Sequence, residues 1–162
     1  MKPKRAVLLD TSFFLRFLNE SDPLFKNADD YFRYFLENDI DMLISTISIA
    51  EYCVGGDIHE LPLKNLQIVP FNWNHAIRAG EFAKIIFEAR QAGALIVKER
   101  MQISNDVKLF AQADCETAVE LYLTSDAESQ KIYNVLREKT KLKFRFIDLN
   151  TLYSQYFSVL DF

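Results

Sequence analysis

Apolar residues form two kinds of pattern along this chain. Five short runs are almost continuously apolar, which is typical of strands covered on both faces, and they lie at Arg5–Leu9, Met42–Ser45, Leu66–Pro70, Val119–Leu123 and Phe144–Leu149. Between them, apolar residues recur at helical spacing, which predicts helices after Asp10, from Asp22-Pro23, after Ser48, and over about 74–93, 104–113, 127–139 and 152–157. This order predicts a three-layer α/β/α sandwich around a central, mostly parallel five-stranded sheet.

Length and composition narrow the class of protein. The 162 residues are 49% hydrophobic and 26% charged, so we expect a single globular domain over residues 1–162. No apolar stretch is long enough to span a membrane, and the apolar run after the basic N-terminus is too short for a signal peptide, so we expect a cytoplasmic protein. Cys53 and Cys115 lack the spacing of a metal or redox motif and are expected to be reduced and buried.

The net charge limits the possible partners, and the glycine content excludes some folds. The formal net charge is −4, so the surface as a whole will not attract nucleic acid, and a polyanion would need local basic patches or bound cations. With only four glycines, the chain has no glycine-rich loop to hold a phosphate, which excludes P-loop and dinucleotide-binding folds.

The candidate chemistry lies in four acids, each placed where a predicted buried element meets the start of a helix: Asp10, Glu51, Asp106 and Asp126. Each acid alone has a structural explanation. Ser48-Ile-Ala-Glu51 and Ser125-Asp-Ala-Glu128 match helix capping boxes, Asp106 suits the first turn of a helix, and Asp10 suits the cap of the helix that follows it. Ligands of open parallel sheets bind outside the carboxyl ends of the strands. Acids gathered there would repel one another without a cation, so as a set they predict a Mg²⁺ or Mn²⁺ site in a hydrolase.

The four acids and their neighbours resemble the motifs of a PIN-domain nuclease. Its first motif, an apolar strand ending in Asp-Thr/Ser, is matched by Val7–Ser12, and its second, a Glu in a short helix after strand two, by Ser45–Glu51. Its third, an Asp that opens a helix, is matched by Asn105–Ala113, and its fourth, Thr-x-Asp after strand four, by Thr124–Asp126. The order and context of these motifs agree over nearly the whole chain.

This resemblance implies a metal-dependent endoribonuclease, a fold common among VapC-type toxins of toxin–antitoxin pairs. Asp10 and Asp106 are then expected to bind the metal directly, and Asp126 directly or through water. Glu51 is expected to bind the metal through water or to deprotonate the attacking water. The residues expected to orient these carboxylates are Thr11, Ser12, Asn105 and Thr124. Ser125 stands where many members carry a basic residue and no phenylalanine closely follows Asp126, so Glu128 is a candidate to share the fourth acid's role.

The sequence also suggests surfaces for partners. Lys98, Arg100 and Lys108 lie near the third acid and are expected to contact RNA. The basic run from Arg137 to Arg145 is also a candidate for phosphate contact, although a solvated helix end is the more ordinary interpretation. Two aromatic groups, Phe13-Phe14-Phe17 and Tyr153-Tyr156-Phe157, are candidate faces for a homodimer or an antitoxin. His59 and His75 have no zinc or triad spacing and are expected at the surface.

Three alternatives compete with a metal-dependent ribonuclease. A non-catalytic PIN-fold module that binds RNA or protein is the main one, and retention of all four acids argues against it. A haloacid-dehalogenase-type phosphatase needs a second Asp two residues after the first, where this chain has Ser12. A receiver domain needs an acidic pair at the end of strand one, where Asp10 stands alone.

Overall fold

The protein is built around one parallel sheet, seen in a computed structural model that describes residues 2–91 and 102–158. Its strands are β1 (Arg5–Leu9), β2 (Ile40–Ser45), β3 (Leu66–Val69), β4 (Val119–Thr124) and β5 (Arg145–Asp148). They lie in the order β3-β2-β1-β4-β5, and every neighbouring pair is parallel. The predicted five-stranded sheet is therefore confirmed, with β1 at its centre.

Helices cover both faces of the sheet. They are α1 (Thr11–Phe17), α2 (Phe25–Glu37), α3 (Thr46–Tyr52), α4 (Trp73–Gln91), α5 (Asn105–Cys115), α6 (Ala127–Lys139) and α7 (Tyr153–Tyr156), with 3-10 turns at Ile58–Glu60 and Leu63–Asn65. Helices α1, α2 and α7 pack on one face, and α4, α5 and α6 pack on the other. This is the predicted α/β/α sandwich. None of the helices in the described parts of the chain is long and apolar enough to cross a bilayer.

Strand β1 shows how the sheet separates two cores. Val7 and Leu9 point into the core beneath α1 and α2, whereas Ala6 and Leu8 point into the core beneath α4, α5 and α6. This alternation follows from the two-residue period of a strand. All four side chains are at most 1% exposed, which explains why the strand reads as a continuous apolar run.

The aromatic residues proposed as a surface face pack against other residues of the same chain. Phe13 and Phe14 are fully buried, and Phe17 stacks on Phe32 of α2 with ring centroids 4.6 Å apart. At the C-terminal end, Phe157 stacks on Tyr34 at 4.2 Å. The expectation of an exposed α1 stripe is therefore wrong, because helix α2 already covers it.

Two helices begin elsewhere than the sequence signals suggest. Helix α2 begins at Phe25 rather than at Asp22-Pro23, because the Asp22 carboxylate accepts from the Leu24 amide and from Arg16 of helix α1. Helix α3 begins at Thr46, where the Ser45 hydroxyl accepts from the Ile47 amide and caps the helix.

The cysteines and one histidine also differ from expectation. Both cysteines are free, but Cys53 and Cys115 are exposed at helix ends rather than buried. His75 is 1% exposed and not on the surface, because its ring nitrogens are satisfied by the Asn72 amide and the Glu116 carboxylate. His59 is exposed as predicted.

Candidate active site

Three neighbouring strands end at the same level, and this brings the predicted site residues to one edge of the sheet. Leu9 of β1 stands beside Ile44 of β2 and Leu123 of β4. Asp10 follows at once, and its amide still donates to the Leu123 carbonyl at 3.0 Å. The carboxyl edge of the sheet therefore carries Asp10, the start of α3 and Thr124 side by side.

Asp10 is held by hydroxyl groups rather than by the helix it precedes. Its side chain is buried, and its Oδ2 accepts from Ser12 Oγ and from Thr124 Oγ1, each at 2.8 Å. Although Asp10 occupies the N-cap position of α1, its carboxylate makes no capping hydrogen bond. The capping explanation therefore fails for this residue, and two hydroxyls fix the carboxylate in one orientation.

The same hydroxyls connect Asp10 to the fourth motif. Ser12 Oγ lies 3.1 Å from Thr124 Oγ1 and accepts from the Ser125 amide at 2.9 Å. Thr124 Oγ1 accepts from the Asp126 amide at 3.0 Å. Thr124 thus contacts both the first acid and the backbone of the last one, so the two motifs form one hydrogen-bonded unit.

Glu51 lies near the C-terminal end of α3, where the helix dipole disfavours a negative charge. The Ser48–Glu51 capping box predicted from the sequence is wrong, since α3 already begins at Thr46. Thr11 Oγ1, at the start of α1, donates to Glu51 Oε1 at 3.0 Å. Helix stability therefore does not explain Glu51, and a buried hydroxyl aims its otherwise exposed carboxylate.

Asp126 has a structural role that uses only one of its oxygens. It is the N-cap of α6, and its Oδ1 accepts from the Glu128 amide at 2.9 Å. The predicted capping box of Ser125 and Glu128 is therefore wrong. Glu128 pairs instead with Lys131 at 2.7 Å, with 72% of each side chain exposed.

Asp106 reveals that the four acids form one electrostatic group. It lies in the first turn of α5, and its pKa is raised from the usual 3.8 to about 6. Burial is the largest cause, followed by the charges of Asp10 and Asp126, with a smaller contribution from Glu51. Since each of these charges disfavours ionisation of Asp106, the carboxylates of Asp10, Asp126 and Glu51 all lie close enough to act on Asp106. We call this set the acid site.

No cation within the chain offsets the acid site in the part that the structure describes. Within residues 2–91 and 102–158, no lysine, arginine or histidine forms an ion pair with any of its four members. In the same residues, no three carboxylate, thiol or imidazole groups converge tightly enough to hold one metal ion. The donor chemistry is nevertheless entirely oxygen, which suits a hard divalent cation.

Three buried hydroxyls on the elements that carry or precede the acids were not predicted. Ser48, Tyr122 and Ser129 each have a buried hydroxyl oxygen without a hydrogen-bond partner in the described structure. Burial raises the pKa of Tyr122 strongly, and the charges of all four acids raise it further, so its ring lies beside the acid site. Ser129 opposes the rise in the Asp106 pKa, although its oxygen does not reach a standard hydrogen-bond geometry. A sequence signal existed for Ser129, which stands one helical turn after Asp126.

The remaining predicted residues are placed as follows. Asn105 is the first residue of α5, whose N-cap is Ser104, and it makes no side-chain hydrogen bond to an acid among the described residues. Lys108 is half-buried on the same helix. Lys98 and Arg100 lie outside the described residues.

Comparison with known proteins identifies the fold. No family model and no curated protein matches the chain. Among solved structures, VapBC2 from Rickettsia felis bound to a DNA fragment from their promoter is 21% identical, with a TM-score of 0.57 over 88% of this chain and 99% of that chain. FitAcB from Neisseria gonorrhoeae is 17% identical, with a TM-score of 0.59 over 90% and 99% of the two chains.

A third structure is VapC20 from Mycobacterium tuberculosis, a Sarcin-Ricin loop cleaving toxin. It is 13% identical, with a TM-score of 0.50 over 77% of this chain and 93% of that chain. Identities this low carry the likeness of fold alone. The chain has the fold of the VapC toxin structures, which confirms the predicted PIN-domain fold.

Proposed function

We propose that the protein is a metal-dependent endoribonuclease that hydrolyses phosphodiester bonds in RNA. The observation that carries the proposal is the acid site, in which Asp10, Asp126 and Glu51 raise the pKa of Asp106 at the carboxyl edge of a parallel sheet. No cation of the described residues pairs with any of the four acids. The fold supports RNA as the substrate, since VapC20 shares it and cleaves the Sarcin-Ricin loop.

Mg²⁺ or Mn²⁺ suits the donors that are present. In phosphate chemistry Mg²⁺ is usually held by one or two carboxylates together with waters and the substrate phosphate, so it does not require three acids gathered around one point. Asp10 and Asp106 would hold the ion directly. Asp126 would do so directly or through water, with its Oδ2, which accepts no hydrogen bond from the described residues. A bound cation neutralises charge on the phosphate and lowers the pKa of a coordinated water.

The chain's own residues have separate tasks in this scheme. Ser12 and Thr124 keep the Asp10 carboxylate in a fixed orientation, which removes the need to reorganise it during the reaction. Glu51, aimed by Thr11, would accept a proton from the attacking water or hold the cation through a water. We propose no role for Glu128, because it is exposed and paired with Lys131.

We further propose that the protein is the toxin of a toxin–antitoxin pair and binds an antitoxin protein. The support is that similar folds occur in VapBC antitoxin complexes. A homodimer is proposed from the family resemblance only, since the aromatic residues first considered for its interface pack within the chain. Light scattering of the purified protein measures directly whether it is a homodimer.

RNA cleavage tests the enzymatic proposal. We expect the protein to cut single-stranded or looped RNA with Mg²⁺ or Mn²⁺, and EDTA to abolish the activity. Asp10→Asn should lose at least ~10²-fold in rate, because a preorganised charge at the reaction centre is removed. The matched control is Asp39→Asn, the same change at an exposed turn residue whose φ of 53° suits asparagine.

The outcomes separate the alternatives. Loss of cleavage in Asp10→Asn but not in Asp39→Asn, with equal melting temperatures, supports the acid site as the reaction centre. Cleavage by Asp10→Asn at the wild-type rate would rule that site out. RNA binding without cleavage in either metal would instead favour the non-catalytic PIN-fold module.

A further inference from the structure

A groove lies along the edge of the sheet between helix α6 and strand β5. We call it the α6–β5 groove; its volume is about 390 Å³, and its walls include Gln130, Asn134, Arg137, Arg145, Phe146 and Tyr156. None of these residues belongs to the acid site. Arg137 and Arg145 are the two ends of the basic run for which the sequence leaves open a solvated helix end or a phosphate contact.

Helix α6, which forms one wall of the groove, runs away from the acid site. Asp126 is the N-cap of helix α6, and Gln130 follows four residues later, which is roughly 6 Å along a helix axis. Arg137 follows eleven residues after Asp126, roughly 16 Å along the same axis. Strand β5 is an edge strand, so the groove is open on its outer side.

Two arginines make the groove locally positive in a chain of net charge −4. Arg137 and Arg145 are exposed, and neither pairs with a carboxylate in the described part of the chain. This distinguishes them from four other arginines that do pair with carboxylates, namely Arg5, Arg16, Arg33 and Arg78. The two guanidinium groups are therefore available for an anionic ligand.

Lys143 also borders the groove but is already used by the fold. Its ammonium donates to the carbonyls of Glu116 and Val119, the latter at 2.8 Å. Burial lowers its pKa. We therefore assign it to the structure and not to ligand binding.

Aromatic rings lie beside the free arginines. Phe146 and Tyr156 are half-buried, so part of each ring faces outward. Arg145 lies close to Tyr156, since its charge lowers the Tyr156 pKa against a larger rise caused by burial. Arginines beside partly exposed aromatic rings are the usual means of binding single-stranded nucleic acid, because phosphates meet the cations and bases stack on the rings.

We propose that the α6–β5 groove binds the single-stranded RNA that extends beyond the acid site, with phosphates on Arg137 and Arg145 and a base on Tyr156 or Phe146. This rests on the proposed ribonuclease function. An acidic protein segment would meet the same charges. RNA is favoured because helix α6 leads from the acid site, where the scissile phosphate would lie, to the two arginines, and because the rings suit bases.

RNA binding at several salt concentrations tests the groove. The probe is a fluorescent single-stranded RNA of about 15 nucleotides, with Asp10→Asn as the background that prevents cleavage. Each phosphate contact on single strands contributes about 0.7 to the slope of log K against log salt. Arg137→Ala/Arg145→Ala should therefore weaken binding and reduce that slope by about 1.4.

The matched control removes two exposed lysines elsewhere, Lys64→Ala/Lys84→Ala, and changes the net charge equally. It should leave the slope unchanged. In the active protein, the arginine pair should raise KM for the long RNA and leave kcat unchanged, because contacts far from the reacting bond act on binding. Cleavage of a dinucleotide, which cannot reach the groove, should be the same in both variants.

The outcomes test the groove proposal and the ribonuclease proposal separately. If wild-type protein cleaves RNA and both double variants bind alike, the groove proposal is overturned while the ribonuclease stands. If the arginine variant keeps its RNA affinity but loses binding of a polyglutamate peptide, the groove belongs to an acidic protein segment. If wild-type protein neither binds nor cleaves RNA, the proposed function fails and the groove proposal fails with it. Equal melting temperatures of all variants exclude misfolding as a cause.

Discussion

Two polar clusters lie at opposite ends of the same sheet, and they differ in whether their acids are paired with cations. The acid site lies at the carboxyl ends of the strands. At the other end, where β4 begins, lies a second group formed by His75, Arg78, Asp114, Glu116 and Lys143, which we call the N-terminal-edge cluster. Both clusters contain side chains that are largely removed from water.

Every acid of the N-terminal-edge cluster has a partner within the chain. Glu116 lies 2.8 Å from His75 Nε2, and Asp114 accepts from Arg78 Nε at 3.0 Å and from the Lys143 amide at 2.8 Å. Arg78 also pairs with Glu81 and lies over the Phe82 ring. These contacts join α4, α5 and the segment that leads into β5, so the cluster stabilises the fold.

The acid site has negative charges that the described residues do not pair with cations. Its hydrogen-bond donors are neutral hydroxyls and amides, and its four negative charges face no cation of the described residues. Withdrawing a charge from water is unfavourable unless a partner offsets it. Burial alone therefore does not distinguish a functional cluster from a structural one. The difference lies in whether the chain supplies the opposite charge itself.

The largest expected effect comes from breaking the N-terminal-edge cluster. Arg78→Met keeps most of the packing on Phe82 but leaves Asp114, whose side chain is 10% exposed, without its cation. We expect the free energy of unfolding to fall by roughly 3 kcal/mol, because a largely buried carboxylate loses its partner. Urea unfolding measures this, and RNA cleavage at low temperature should stay at the wild-type rate per folded molecule.

The control for that prediction is an exposed ion pair. Lys131→Met removes the pair with Glu128, in which both side chains are 72% exposed, and should change the unfolding free energy far less than Arg78→Met does. If Arg78→Met is no more destabilising than Lys131→Met, the N-terminal-edge cluster does not stabilise the fold in the manner described.

The fold could be predicted because its signals are local. Each strand of the sheet is a short apolar run, and Arg5–Leu9 was predicted to the residue because both of its faces are buried. The start of α2 was misplaced because Asp22-Pro23 looks like a helix start, whereas Asp22 pairs with Arg16. A partner in the preceding helix is a contact between two elements, which the pattern within one element does not reveal.

The acid site and the N-terminal-edge cluster differ in how far the sequence predicts them. The acids were found because the carboxyl ends of parallel strands must meet at one edge, so topology brought them together. The N-terminal-edge cluster was missed, and His75 was assigned to the surface, because its partner Glu116 lies 41 residues away with no motif to connect the two. Whether an acid is paired with a cation depends on such distant contacts. The sequence therefore predicts where the acids lie but not whether a cation offsets them.

Repulsion within the acid site should make the stability of the metal-free protein depend on pH. The folded-state pKa of Asp106 is about 6, above its unfolded value of about 4, so the folded state binds the proton more tightly. Stability then falls as pH rises from about 4 to about 6 and stays lower above that window. Asp106→Asn cannot ionise, so in EDTA it should be more stable than wild type by roughly 2 kcal/mol at about pH 7, with little difference at about pH 4.

Urea unfolding of both proteins at the two pH values measures this, with Glu138→Gln, an exposed acid of α6, as the control for charge. Mn²⁺ at about 100 times its dissociation constant should stabilise wild type by roughly 2.7 kcal/mol and Asp106→Asn by less. If Asp106→Asn destabilises the metal-free protein at neutral pH and keeps the full manganese shift, Asp106 serves the first turn of α5 and not a cation.

The smallest effect should come from the hydroxyl that aims Glu51. Thr11→Val keeps the shape of a side chain that is 8% exposed but removes its 3.0 Å hydrogen bond to Glu51 Oε1. If Glu51 takes part in the reaction, its looser carboxylate should slow RNA cleavage about tenfold, a barrier increase of roughly 1.4 kcal/mol. Thr11→Ser keeps the hydroxyl and should restore most of the rate, which distinguishes the lost bond from altered packing. Wild-type cleavage by Thr11→Val would separate Glu51 from the chemistry and reduce the working acid site to its three aspartates.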